Sequence, residues 1–303
     1  MQTEVMEIAV EVDNGKFLDF EKEKTQAITL EQLELTHREN DVYGKPLKGI
    51  YHFELLRQLI SMCNVQGYDV EVYDLFAAQN RDRTQPGVVL LPQVEAQLGD
   101  HAVEAHILRR VFANIRIKDL DTPEMTTNLA VAFHQNGIQV GFGRNVKICH
   151  NQCMLNPTLY AATYGAKRRG ENLTPAALLD VVKSWLLDAR HLMVEDDEKI
   201  ARMREIEVTA DKMFLMIGML TATRVKCDSR KPEIHVNNVY PLNQAQITQF
   251  TEDMLMKFYC NNVITLWDVY NVATNLYKPN RMDIPSLLPQ NRAMVQFLNE
   301  MYF

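Results

Sequence analysis

Asn136-Gly137 stands between two runs of alternating residues, and no other feature of the chain constrains its fold as much. Leu129, Val131 and Phe133 alternate with small or polar residues before it, and Ile138, Val140 and Phe142 do so after it. Period-two alternation marks a strand with one apolar face. Asn-Gly meets the positive-φ demand of both central positions of a type I′ turn. The spacing predicts a two-residue hairpin with Phe133 opposite Val140 and Val131 opposite Phe142. One face then carries Leu129, Val131, Phe133, Ile138, Val140, Phe142, Val146 and Ile148. The reverse face carries Ala130, Ala132, Gly141 and Gly143, then Asn145, Lys147 and Cys149. A face paved with Ala and Gly lets something come close to the backbone. Two occupants fit it: a packed helix, or an extended ligand on a flat platform with cations at its edge.

Charge gives the platform reading its interest. The chain's formal net charge is -7, yet residues 125–170 contain no Asp or Glu. At the average acid content, about six carboxylates would be expected there. The segment holds Arg144, Lys147, Lys167, Arg168 and Arg169, with His134 and His150. An acidic total argues against a protein that coats duplex nucleic acid with its whole surface, but it leaves room for a local basic groove.

A chain of 303 residues can bury a large core in one large or two ordinary domains. No apolar run approaches the roughly 20 residues that span a bilayer, so no membrane partner is expected. Glu4, Glu7, Glu11 and Asp13 among the first residues argue against a secretory signal peptide. Cys63, Cys149, Cys153, Cys227 and Cys260 make five, which cannot all pair, and cytoplasmic thiols are the simpler reading.

The remaining elements follow from periodicity. Residues 1–45 read as a loosely held, charged arm with at most one strand. Helical spacing over 51–65 ends at Gly67. Strands are expected at 68–73, 88–91 and 107–118, the last with Val111, Ala113, Ile115 and Ile117 on one side and Arg110, Asn114, Arg116 and Lys118 on the other. Thr174-Pro175 starts a helix that carries Leu178, Val182, Trp185, Leu186, Ala189 and Met193. Residues 195–199 read as its solvated part, because adjacent helical residues diverge in direction. Residues 211–224 form a Met-rich helix, Asn243 caps another to Phe258, and helices at 265–277 and 289–301 follow. This is an α+β protein, with an antiparallel sheet over about 68–150 packed on helices and a largely helical second half. The units are an arm at 1–45, a sheet domain at 46–170 and a helical region at 171–303, packed on the sheet as one unit. One sheet face is expected to be buried and the other partly exposed.

No catalytic signature stands out. Cys149, His150 and Cys153 lack the spacing of a zinc finger, and Cys149 and His150 point to opposite faces of a strand, so no metal is expected. Gly141-Phe142-Gly143 lacks the third glycine and the following helix of a dinucleotide fingerprint, and no cofactor is expected. Catalytic residues are assigned to none of the side chains, and the reading leans away from an enzyme.

Two segments resemble a known group. They are NLAVAFHQNGIQVGFGRNVKICHNQCML, from Asn128, and TLWDVYNVATNLY, from Thr265. Together they are similar to the phage/plasmid-like proteins grouped as domain of unknown function 932 and relatives. The matching positions are Cys149 and Asn151 in a Cys-x-Asn step, then Trp267, Asn271 and Thr274 on a late helix. His150 within the step and the N-terminal region depart from the pattern. The resemblance implies a phage, prophage or plasmid context, and it carries over no catalytic residue. The expectation is a non-enzymatic mobile-element protein that binds nucleic acid, single-stranded DNA above all, as a recombination or replication accessory. Arg116, Lys118, Lys147, Lys167, Arg168 and Arg169 would hold phosphates, and Tyr160 and Tyr164 would stack on bases. The alternative is a protein–protein interaction module that inhibits or remodels a host or phage protein without touching nucleic acid. The 15 methionines suit adaptable surfaces of that kind, and a homo-oligomer is compatible with either reading.

Overall fold

A computed structural model describes residues 25–35, 52–78, 110–134, 137–147, 151–164, 174–228, 240–261, 263–278 and 284–303. Among them seven strands form one antiparallel sheet: β1 (Thr25–Ala27), β2 (Val70–Ala78), β3 (Arg110–Ile117), β4 (Met125–His134), β5 (Gly137–Val146), β6 (Asn151–Cys153) and β7 (Tyr160–Tyr164). Strands β1 to β6 lie side by side in chain order, and β7 pairs with β5 beyond the end of β6. The expected strand at 88–91 lies outside the described residues. Strands β6 and β7 extend the sheet past 150.

The hairpin is present, but its register differs by one residue on each strand. Phe133 pairs with Ile138, Val131 with Val140, and His134 closes the ladder against Gly137. Gly137 is therefore already a strand residue, with φ 158°, near the extended range. A shift of one residue on each strand leaves every side chain on its expected face, so alternation alone does not decide it. Strand β7 fixes it from the other side, where Gly137 pairs with Tyr164 and Ile138 N–H donates to Thr163 Oγ1 at 3.0 Å.

Helices cover both sheet faces. On one lie α1 (Leu30–Leu35), α2 (His52–Val65) and α3 (Pro175–Leu187). Leu55, Leu56, Leu59, Leu178, Val182 and Trp185 there meet Val111, Ile115, Leu129, Val131, Phe133, Val140 and Phe142. Gly67, at φ 83°, ends the turn after α2 as expected, and Thr174 caps α3 through Ala177 N–H. The expected long helix breaks at Asp188, and α4 (Ala189–Glu205) takes a new direction. Met193 of α4 packs on the first face, whereas Ile200 and Met203 join the core of the second. The second core also takes α5 (Ala210–Asp228), α6 (Gln244–Cys260), α7 (Leu266–Asn275) and α8 (Ile284–Tyr302). Capping boxes at Asn243 and Thr265 start α6 and α7. Helix α8 begins five residues before Pro289, which it carries inside its length.

The Ala/Gly face is closed, and the platform reading fails there. Ala130 and Ala132 are fully buried in the core that holds Leu287, Leu288 and Leu298 of α8. A Cβ on Gly141 would stand 2.7 Å from Met154 Cε, and one on Gly143 would stand 2.3 Å from the carbonyl oxygen of Cys153. The small residues admit a helix and the chain after β5 instead of a ligand. The sheet is thus buried on both faces in the middle, and the expectation of a partly exposed face is corrected.

Candidate interaction surface

Of the expected cations, Arg116 and Lys118 are held by carboxylates and Lys147 by a backbone carbonyl. Arg116 donates from Nη1 to Glu71 at 2.8 Å and pairs through Nη2 with Asp121 at 2.7 Å. Lys118 stands 3.4 Å from both Asp69 and Glu71. Lys147 donates from Nζ to the carbonyl of Thr122 at 2.7 Å. These three converge on the turn between β3 and β4, among Asp69, Glu71, Asp119, Asp121 and Glu124. Carboxylates there at least match the cations, which weakens the pull on a phosphate backbone. Tyr160 is half-buried, with the Arg292 guanidinium 5.2 Å from its ring centre. Tyr164 ends β7, and its side chain lies outside the described set. Lys167, Arg168 and Arg169 also lie outside the described residues, as do Cys149 and His150.

Arg144 was legible in sequence only as one more cation of the acid-free segment. It stands on the apolar face of β5, directly across from Thr127, with 2% of its side chain exposed. Nη1 donates to the carbonyl of Leu120 and to Thr127 Oγ1, both at 2.6 Å. Nη2 donates to Asp197 at 2.5 Å and to the carbonyl of Met193 at 3.3 Å. One guanidinium thus ties the β3–β4 turn, β4 and β5 to α4 where that helix passes the sheet. Asp196 beside it is also buried, so the expected solvated stretch at 195–199 holds for Glu195 and Glu198 and is corrected at Asp196. Burial pushes the Asp196 carboxyl up to about 7, against the pull of Arg144 and Lys199. Burial likewise lowers Lys199, which donates to the carbonyl of Leu155 at 2.9 Å.

A pH dependence follows. The Asp196 carboxyl is raised in the folded protein, so its contribution is fully present below the ordinary carboxylate pKa and lost as pH rises through about 7. Taking that group alone, unfolding free energy should increase by about 2 kcal/mol from about pH 8.5 to about pH 5.5. Urea titrations of the wild type and of Asp196→Asn test this. The variant should lose most of the difference, and an equal difference in both proteins would assign it to other groups.

The remaining feature is apolar. Met213, Met216 and Leu220 turn one side of α5 into the core. The opposite side carries Phe214 and Leu215, 56% and 59% exposed, with Gly218, Met219 and Ala222 in line. Between Met213 and Thr223 there is no charged residue. Arg224 Nη1 donates to Gln244 Oε1 at 3.0 Å, and Val208 N–H donates to the carbonyl of Ile264 at 2.8 Å. These ties join opposite ends of α5 and α6, so the two helices run antiparallel. Ile247, Phe250 and Met254 turn α6 into the same core. Leu255, Met256 and Tyr259 therefore face outward beside Phe214 and Leu215, and Tyr259 is 89% exposed. Val263 continues the exposed apolar series. Sequence reading marked α5 as Met-rich without separating its two faces. The signal is the absence of a polar stripe, since a helix apolar all round requires cover on both sides.

No family model, curated protein or solved structure matches the chain. The resemblance to phage/plasmid-like proteins rests on the two quoted segments alone. No helix among the described residues is long and apolar enough to cross a membrane.

Proposed function

We propose that this chain is an interaction protein that works by docking on protein through the outer face of α5 and α6. The observation that carries the reading is the two-sided apolar character of α5. Seven exposed apolar side chains on and beside this helix pair present on the order of 700 Å². That exceeds the largest patch of a typical monomer, roughly 300–600 Å². Met219 and Met256 add side chains that adapt to a partner's shape. Nucleic-acid binding is the competing reading. Its support lies in Lys167, Arg168 and Arg169, while Arg116, Lys118, Arg144 and Lys147 already have carboxylate or carbonyl partners.

Photocrosslinking in cells tests the proposal. Benzoylphenylalanine at Met219 or Tyr259 should give discrete protein adducts, and the same group at exposed Arg57 on α2 should not. Adducts of equal yield at all three positions, or none at Met219 and Tyr259, would overturn it. Oligonucleotide binding at low salt that is abolished by replacing Lys167, Arg168 and Arg169 with Ala, in a protein without such adducts, would favour the competing reading.

A further inference from the structure

Among the described residues nothing accounts for Gly218. It sits in the middle of α5, where glycine costs about 1 kcal/mol relative to alanine. A Cβ built on it meets nothing within 4 Å. Its φ is not in the range that demands glycine, since the positive-φ glycines are Gly67 and Gly137. Neither packing nor backbone conformation explains it. Close approach of a second backbone does.

We infer that the outer face of α5 binds a second copy of this chain, with the two α5 helices crossing antiparallel at Gly218. The sequence of the face supports a two-fold contact. About an axis at Gly218, position 214 of one helix falls opposite position 222 of the other. Phe214 of each copy then lies over Ala222 of its partner, large on small, twice. Such self-complementarity is what an isologous interface requires. Gly218 at the crossing lets the helices approach, and Leu215 and Met219 flank it. Leu255, Met256 and Tyr259 widen the contact from α6. The exposed apolar side chains present on the order of 700 Å² per copy, so pairing would bury up to about 1,400 Å². Stable interfaces bury roughly 1,200–2,000 Å² in total. The absence of charge along α5 from Met213 to Thr223 suits a contact between identical surfaces, because like charges would meet across the axis, and exposed Glu252 falls to the α6 margin of the contact.

This inference rests on the reading of α5 and α6 as a protein-docking surface and names its occupant. Sedimentation velocity of the purified full chain over a concentration series tests it. The wild type should move from 35.0 kDa toward twice that mass as concentration rises. Gly218→Leu should remain monomeric, with a dissociation constant raised by at least about tenfold. Its own fold has room for the added side chain and gains helix propensity, so its melting temperature should not fall. Phe214→Lys, at an exposed site, should have the same effect on association with unchanged circular dichroism. A wild type that stays monomeric at on the order of 100 μM would overturn the inference. So would a dimer that survives both substitutions with its affinity intact. Heterologous adducts from Met219 and Tyr259 in a monomeric protein would leave the docking reading standing and remove only the second copy.

Discussion

Arg144→Met should destabilise the protein by about 1–3 kcal/mol, the range for leaving buried polar groups short of a partner. The methionine can follow the path of the arginine stem, so little of the loss comes from a cavity. The loss comes from what the guanidinium leaves behind. The Leu120 carbonyl keeps only its bond from Thr127 Oγ1, at 2.8 Å. Thr127 Oγ1 loses a donor, and Asp197 loses the cation that draws it against the sheet. Asp196 loses one of the two positive groups that oppose its neutralisation, so its carboxyl should titrate still higher. Urea unfolding with an unchanged m-value measures the cost. Asp197→Asn should cost at least as much, because it leaves the Arg144 guanidinium, 2% exposed, without its carboxylate, whereas the one charge that Arg144→Met orphans is Asp197, 42% exposed and open to water. A change within about 0.5 kcal/mol for Arg144→Met would mean that the guanidinium is solvated in the native protein.

The two glycines of β5 should respond differently to the same substitution. At Gly143 the added Cβ meets a backbone carbonyl at 2.3 Å, and backbone cannot swing aside. That carbonyl belongs to Cys153, between two fixed points. Asn291 Nδ2 donates to the carbonyl of Gln152 at 2.6 Å, and Met154 N–H donates to the Tyr270 hydroxyl at 3.0 Å. Relieving the overlap moves β6 away from α7 and α8 together. Gly143→Ala should cost roughly 3 kcal/mol, at the upper end for overpacking. At Gly141 the nearest atoms are Cε and Sδ of Met154, the far end of a flexible side chain. Gly141→Ala should cost about 1 kcal/mol or less. Thermal melts of the two variants side by side read the contrast. Equal losses would show that β6 yields as easily as a methionine side chain.

How much of this was legible in sequence follows from the range of each signal. Alternation in β3, β4 and β5 gave the faces as far as Phe142, because a strand's period is local and Leu129, Val131, Phe133, Val140 and Phe142 obey it, but Val146, expected on the same face, packs against the second core. Alternation gave the wrong register, because Phe133–Val140 and Phe133–Ile138 pairings put the same residues on the same faces. Helix caps at Thr174 and Asn243 were legible for the same local reason. Strands of three and five residues, β6 and β7, carry too few positions to show a period. The surroundings of the cations were the less legible part. An acid-free stretch of sequence says nothing about acids brought to it from 53 residues away, as Asp197 is to Arg144. Charge balance belongs to the fold, whereas turn chemistry belongs to the tetrapeptide.

The tandem pairing of β6 and β7 along β5 also bears on aggregation. A long strand at a sheet border exposes a row of unpaired amides and carbonyls that can recruit another chain. Here β6 takes residues 144–146 of β5, β7 takes 137–141, and Phe142 N–H between them donates to the carbonyl of Leu159 at 3.0 Å. The ten-residue strand is thereby sealed along its length, and the borders that replace it are three and five residues long. At the other side, three-residue β1 covers residues 76–78 of β2, which bears a bulge between Val72 and Asp74 and whose acids Glu71 and Asp74 are engaged by Arg116 and Asn114 of β3. Short borders and a bulged, charged strand discourage fibre-like growth by strand addition. A crowded solution of this protein should therefore form discrete particles that disperse on dilution, without seeding thioflavin-positive aggregates.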